Sequence, residues 1–383
     1  MNFSVSLTET CENLQQNCAN CGACIEQCTM LQGIGEEISA IAARQPSVAE
    51  AFSCSLCGLC ETVCPLNLSP REMFAAKRAS AVEQKEIAIE DYRYMFPDRP
   101  NNTMSIYREL NNITYADCHP NEKLPVAFFP GCTMLTYGSE LTRKLYYVLK
   151  QRYEQLTLLP DCCGLPLCQL GLRSKGNNFA ANLKEKMQSL EIRELILTCP
   201  NCYYRLRGVL ADTAIQLKTI YEVLAANKAV TGLAQEAGLK VTVHDSCPDR
   251  KERIFAEQVR KALAQKGYEL KEMANCKEST LCCGSGGHIS HFRPELAQEM
   301  TRARVAQAKE TGADILAAYC LACVLNFATV QDGVKTQHVL NLLLEFPQNY
   351  EDVKLKARAM LDGPEGQKNW ERIMAEESKD DCR

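Results

Sequence analysis

Cysteine supplies the chemistry that this sequence can offer. Residues 18 to 28 read CANCGACIEQC and residues 54 to 64 read CSLCGLCETVC, so the spacing C-x2-C-x2-C-x3-C occurs twice. Further along, two cysteines stand side by side before a glycine, in DCCGLPLC at 161 to 168 and again in LCCGSGG at 281 to 287. The chain has 23 cysteines. A reducing compartment discourages structural disulfides and turns such clusters toward metal or redox chemistry. The odd number agrees with that reading.

Three cysteines spaced by three on a tight turn can hold three corners of one cubane, while the fourth is carried away by the chain to the other cluster. The expected sets are therefore Cys18, Cys21 and Cys24 with Cys64, and Cys54, Cys57 and Cys60 with Cys28. Cys64 is followed by Pro65, whereas Cys28 is followed by Thr29. Zinc is the poorer reading, because structural zinc prefers two C-x2-C pairs set well apart. The stretch between the runs is rich in alanine and spaces Ile34, Ile38 and Ile41 as a helix does, so the module is expected to be helical.

Adjacent cysteines are a different problem. Their Cα atoms sit about 3.8 Å apart, too close for an unstrained disulfide. Successive side chains also diverge, which suits two irons of one cluster better than one tetrahedral metal. Gly164 and Gly284 are expected to let the backbone approach that cluster without a Cβ in the way.

Around these pairs the chain repeats itself. VAFFPGC ending at Cys132 answers VTVHDSC ending at Cys247, Cys162-Cys163-Gly164 answers Cys282-Cys283-Gly284, and LILTCPNC answers ILAAYCLAC, at offsets of 115, 120 and 121 residues. Such constant spacing argues for duplication. Short apolar runs precede the outer cysteines at 126–129, 195–197, 241–243 and 315–318, and helical stretches at 139–151 and 256–267 separate them. The pattern implies a β/α alternation and a mostly parallel sheet, with cysteines just beyond the carboxyl ends of strands, where open α/β sheets place ligands. Residues 85–122, with PDRPNNT, read as a linker with some helix that wraps a neighbouring surface. The tail 347–383 alternates acid with base around Trp370 and reads as a solvated helix.

The motifs now carry a resemblance. Cys132, Cys162-Cys163-Gly164 and Cys199-x2-Cys202, then Cys247, Cys282-Cys283-Gly284 and Cys320-x2-Cys323, resemble two CCG domains of heterodisulfide reductases. With the two-cluster module in front, residues 15 to about 345 resemble the fused D-type subunit. The fold class expected is α+β multidomain: a helical ferredoxin domain with two [4Fe-4S] clusters (1–84), the linker (85–122), a first (123–235) and a second (236–346) α/β CCG domain, and the tail. The resemblance implies that each complete five-cysteine set holds a noncubane [4Fe-4S] cluster and that the two clusters face a disulfide substrate. Those ten cysteines are then the catalytic set, and all eighteen are metal ligands. Electrons would enter the cubanes from a flavoprotein or other donor subunit.

Two rivals stand beside this. One is an electron relay linking a flavin dehydrogenase to quinone or a membrane subunit; the other is a scaffold with zinc in one or both CCG sites. No G-x-G-x-x-G follows an expected strand, so flavin or nicotinamide belongs to a partner. His244 and His288 are candidate proton donors, more often second-sphere hydrogen-bonding groups. Cys11, Cys118, Cys168, Cys276 and Cys382 fall outside the pattern, and of these Cys168 is close enough in sequence to approach the Cys163 cluster.

The composition is that of a mildly acidic globular protein, 46% hydrophobic and 23% charged with net charge -4, which does not favour nucleic acid. MNFSVSLTET lacks the features of a secretory signal, and no apolar run reaches about 18 residues. The expectation is a cytoplasmic protein of anaerobic setting, with any membrane contact made through a partner.

Overall fold

The structure is a computed structural model and describes residues 5–118, 123–225, 232–330 and 334–376. Cys382 and the ends of the linker and tail stretches lie outside the described residues.

The N-terminal part is helical. The helix Leu7–Asn17 starts at Ser6, whose hydroxyl accepts from the Glu9 amide while the Glu9 carboxylate accepts from the Ser6 amide. The long helix Pro70–Glu83 closes the module, and between them short helices bury Leu14, Ile38, Ile41, Met73 and Phe74 in one apolar cluster. The expected continuous helix through Ile34, Ile38 and Ile41 is broken: Gly35 takes φ +71°, and Thr29–Ile34 and Ile38–Arg44 are separate helices. Ile38 and Ile41 still face the core because the break redirects the chain without changing which side is apolar. Each C-x2-C-x2-C loop bends at its glycine, Gly22 at φ +75° and Gly58 at φ +76°, so that the following short helix folds the third cysteine back.

Two four-stranded parallel sheets follow. The first comprises β1 (Val126–Phe129), β2 (Leu156–Leu158), β3 (Glu194–Leu197) and β4 (Gln216–Thr219), in the order β2-β1-β3-β4. The second comprises β5 (Lys240–His244), β6 (Glu269–Leu270), β7 (Ile315–Ala318) and β8 (Lys335–His338), in the order β6-β5-β7-β8. The shared strand order carries the duplication into the fold. The four edge strands escape periodicity because they are short, and Gln216–Thr219 and Lys335–His338 are polar. Central strands carry unbroken apolar runs, such as Leu195, Ile196 and Leu197, buried on both faces by helices.

Residues 85–118 and the C-terminal helices form one surface layer. A 3-10 segment Ile89–Met95 and a helix Thr103–Leu110, capped by Asn102, bury Phe96, Ile106 and Tyr107. The tail is two helices, Tyr350–Ala359 and Gly363–Met374. The second is docked rather than simply solvated: Ile373 is fully buried, Arg99 donates to the Ile373 carbonyl at 3.2 Å, and Trp370 stacks 5.3 Å from Tyr94. Its charged residues face outward, which is why the pattern reads as solvated.

Candidate metal centres and the cleft between them

Strand ends and helix starts deliver the thiols of the repeats. Cys132 opens the helix Cys132–Tyr137 directly after β1, and Cys199 caps Pro200–Val209 after β3, with Cys202 in its first turn. Cys162 and Cys163 follow β2 and precede Leu165–Gln169. In the second repeat Cys247 follows β5, Cys320 caps Leu321–Phe327 after β7, and Cys323 sits in that first turn. Every cysteine among the described residues is a free thiol.

The ten thiols converge into one connected chain of sulfurs. Cys132 lies 3.8 Å from Cys162, which neighbours Cys163, which in turn contacts Cys202 and through it Cys199. Cys283 lies 3.1 Å from Cys323 and contacts Cys282, which contacts Cys247; Cys323 leads on to Cys320. Cys199 and Cys320 are in contact, so the two sets meet. Such crowding polarises the group. Hydrogen bonds from Cys162 and Cys202 hold the Cys163 thiol well below its ordinary range, and those from Cys282 and Cys323 do the same for Cys283. Closely packed sulfur donors in buried pockets are what an iron–sulfur group needs, since the metal ligand is the thiolate.

The N-terminal thiols gather in two sets. Cys18, Cys21, Cys24 and Cys64 share one cavity, and Cys28, Cys54, Cys57 and Cys60 share another, with Cys60 at the edge of both. Burial pushes the thiols of Cys24 and Cys28 up to about 11 and that of Cys54 to about 12. Bound metal would reverse that cost, because positive charge favours the thiolate. Amides of Leu56 and Leu68 point at the sulfurs of Cys54 and Cys64, each at 3.4 Å. Thr29 does not spoil its turn: Cys28 caps Thr29–Ile34 and stays with Cys57.

Cys282 also lines the second N-terminal cavity and is in contact with Cys57. The module therefore touches the repeats at the second set of thiols. Gly286 and Gly287 explain the run GSGG: a Cβ on either would stand 2.6 to 2.8 Å from the carbonyl oxygens of Ser55 and Cys54. Arg78, fully buried, fastens the same junction. It donates to the carbonyls of Ala51 (2.9 Å), Cys54 (2.5 Å), Gln169 (2.6 Å) and Gly287 (2.8 Å), reaching both repeats from the module. In AAKRAS nothing marks Arg78 as different from a surface charge, so sequence reasoning missed it.

Other expectations are corrected here. At Gly284 the backbone does approach a sulfur, its amide donating to Cys282 Sγ at 3.3 Å, but the missing Cβ of neither glycine faces the sulfurs: on Gly284 it would meet the Ala297 carbonyl oxygen, and on Gly164 it would lie 3.0 Å from that of Gly176. They seat the helix that follows each pair. Among the thiols of the repeated pattern it is Gly131, at φ +84°, whose absent side chain leaves room for a sulfur, that of Cys202 at 3.0 Å, while Gly176 does the same for Cys168 at 2.5 Å. His288 lies against the Pro166 carbonyl, 3.2 Å away, and burial lowers its pKa to about 3, so it is neutral at pH 7 and no proton donor. His244 is fully buried beside Cys283 and Cys323. Cys168 is buried, 3.5 Å from an Arg205 nitrogen and near Cys163, but outside the connected chain of thiols.

A cleft of about 510 Å³ opens beside the sulfurs, between the module and both repeats. Cys57 and Cys247 line it, with six cationic side chains, Arg71, Arg205 and Arg250 among them, against the carboxylates Glu61 and Glu252. Asp249, buried between the cleft residues Pro248 and Arg250, joins the repeats, accepting from Tyr204 of the first (2.5 Å) and Tyr319 of the second (3.0 Å). No helix among the described residues is long and apolar enough to cross a membrane.

Comparison with known proteins agrees with this arrangement. The cysteine-rich domain (CCG) family matches residues 126–207 and 241–328, and the 4Fe-4S dicluster domain family matches residues 17–69. The D-type subunit of the dihydromethanophenazine:CoB--CoM heterodisulfide reductase of Methanosarcina barkeri is 26% identical over 324 residues, 78% of this chain and 79% of that protein. The B-type subunit of the fumarate reductase (CoM/CoB) of Methanothermobacter marburgensis is 21% identical, covering 88% and 73%. A probable iron-sulfur-binding oxidoreductase of Bacillus subtilis, FadF, is 23% identical over 77% of this chain and 46% of its own length. The chain thus carries a 4Fe-4S dicluster domain followed by two cysteine-rich (CCG) domains and is homologous to the D-type subunit of heterodisulfide reductase.

Proposed function

We propose that this chain is the iron–sulfur subunit of an oxidoreductase complex that takes electrons from a donor subunit and reduces a disulfide. The eight N-terminal thiols would hold two [4Fe-4S] cubanes in the sets named above, and the ten thiols of the repeats two noncubane [4Fe-4S] clusters. The clusters, when bound, supply one-electron storage and a Lewis-acidic site for sulfur. The observation that carries the reading is the unbroken line of contacts from Cys57 to Cys282 and on through Cys320 to Cys199, alongside an open cleft.

The protein's own residues do the rest. Cys57 against Cys282 makes the second repeat the point of entry for electrons, and Cys320 against Cys199 extends the route to the first. The cationic wall of the cleft holds a substrate beside Cys247 of the second set and Cys57 of the module and favours the anionic thiolates that form. Reduction consumes two electrons and two protons: R–S–S–R′ + 2 e⁻ + 2 H⁺ gives RSH + R′SH, with the S–S bond broken and the donor subunit oxidised. Protons reach the open cleft from solvent.

Iron and acid-labile sulfide on anaerobically purified protein test the reading. Four four-iron sites require about sixteen irons per chain, whereas about eight would confine iron to the N-terminal module. EPR on oxidised protein with and without thiols tests the chemistry. A thiol-dependent paramagnetic signal supports disulfide reduction. Its absence, with reoxidation by quinone, would replace the proposal with an electron relay.

A further inference from the structure

The two sets of five thiols differ in what stands behind them. β1 ends at Phe129, paired with Leu197 of β3, and β5 ends at His244, paired with Ala318 of β7, so register makes His244 the counterpart of Phe129. On the helices, Gly164 faces Gly176 of Arg173–Ser189 and Gly284 faces Ala297 of Pro294–Glu310, which matches Leu183 with Arg304 seven residues on. Phe129 and Leu183 are ordinary core residues. Behind the second set the same places hold a histidine and an arginine, both fully buried.

Their hydrogen bonds fix the histidine's protonation. Arg304 Nε donates to His244 Nδ1 at 3.0 Å, and the same guanidinium donates to the Asn275 carbonyl and the Thr280 hydroxyl. A guanidinium has no lone pair to offer, so Nδ1 is the acceptor and the proton of the neutral ring sits on Nε2. Phe327 packs edge-on against the ring at 4.9 Å and holds its plane. Nε2 is buried with no hydrogen-bond partner, while the ring reaches within 4.8 Å of the sulfurs of Cys283 and Cys323. A buried N–H left without an acceptor is costly, and sulfur is the acceptor that the site provides.

We propose that His244, with its tautomer set by Arg304, donates from Nε2 to sulfur at the second five-cysteine site and holds that site at a more positive reduction potential than the first. The inference rests on the reading that both sites hold iron–sulfur groups. An N–H donor and a nearby cation stabilise the more negative, reduced state, and hydrogen bonds to sulfur are among the protein's means of tuning such potentials. Phe129 and Leu183 offer the first site neither; that site has cations of its own, Arg108 beside Cys132 and Cys162 and Arg205 beside Cys163, so the buried imidazole N–H is what sets the second site apart. Since Cys57 touches Cys282, an electron leaving a cubane held by Cys28, Cys54, Cys57 and Cys60 would pass first to the second site, with no bond made or broken, and would stay there until another followed. His244 is thus a positioning residue for electrons, not a catalytic one.

The test is a dithionite redox titration of the anaerobically purified full chain, followed by EPR and visible absorption, with iron counted in every sample. His244→Phe with Arg304→Leu gives the second site the first site's pair without stranding a buried charge. His244→Gln keeps an N–H donor. With about sixteen irons retained, the double variant is expected to move one of the two non-cubane transitions to lower potential, and His244→Gln to restore most of the difference. Full iron with both transitions unmoved in the double variant overturns the inference and leaves the proposed function standing. Wild-type protein with only about eight irons overturns both. Should the double variant lose iron, His244→Gln decides: a transition displaced as far as loss of the donor would require, despite the retained N–H, refutes the role given to His244, and one near the wild-type value supports it.

Discussion

Replacing Arg78 by methionine tests how the module is held against the repeats. The guanidinium makes four charge-assisted bonds, to Ala51, Cys54, Gln169 and Gly287, and lies 4.8 Å over the ring of Phe52. Each such bond contributes about 1.5–3 kcal/mol, but burying the cation costs several kcal/mol in return. Burial pulls its pKa down to about 10 against the opposing pull of Cys54, which records that cost. The variant leaves three of the four carbonyls without a donor among the described residues, Ala51 keeping the Cys54 amide, so the net loss is about 3–5 kcal/mol. Because two of the four carbonyls belong to the repeats, the loss falls on docking, weakening it by roughly two to four orders of magnitude. Hydrogen exchange at the amides of residues 54–58 and 286–288 is the assay, with iron content as control. Faster exchange at both stretches, with the cubanes retained, is expected. Unchanged protection there would refute the argument that Arg78 is the fastening. Arg78→Lys should recover little, since an ammonium cannot reach four divergent carbonyls.

Three further outcomes follow from the geometry. Gly284→Ala places a Cβ 2.3 Å from the Ala297 oxygen at φ +78°, and about 2–5 kcal/mol of destabilisation is expected in denaturant melts; Gly312→Ala, at φ +65° with open space around it, should cost only about 1–2 kcal/mol. Equal costs would show that the helix yields freely. Asp249→Ala removes the acceptor shared by Tyr204, Tyr319 and the amides of Phe255 and Ala256 and should cost about 2–4 kcal/mol, with Asp249→Asn costing less; a neutral alanine variant would contradict the role of this carboxylate between the repeats. His288, lowered to about 3 by burial, takes up a proton in the unfolded chain below pH 6.5 but not in the folded one, so its contribution is present above pH 6.5 and declines as pH falls toward 3. By pH 4 the loss is about 3 kcal/mol, and His288→Gln should flatten that part of the stability profile. An identical pH slope in the two proteins would rule this out.

Much of the architecture was legible in the cysteines and the runs before them. Val126–Phe129 and Ile315–Ala318 are strands as expected, because four apolar residues ending at a Gly or Cys turn can be buried in a parallel sheet and little else. The edge strands were not legible. Lys335–His338 is polar and short, and only pairing with β7 makes it a strand. Ile34 to Ile41 had the right period and the wrong continuity, since a helical face is kept across a break at Gly35.

Spacing along the chain alone determined the kind of chemistry, because thiols three residues apart are neighbours on any tight turn. It also determined the twofold plan of the second part, since corresponding motifs must fold alike. Only the tertiary structure decided which thiols meet across distance: Cys57 with Cys282, Cys199 with Cys320. It alone turned Arg78 from a helix charge into a buried fastening, and His244 from a lone histidine into the feature that distinguishes one sulfur site from its twin. The physical reason is the same in each case: a side chain's partners are set by which surfaces pack together, and those surfaces come from residues tens to hundreds of positions apart.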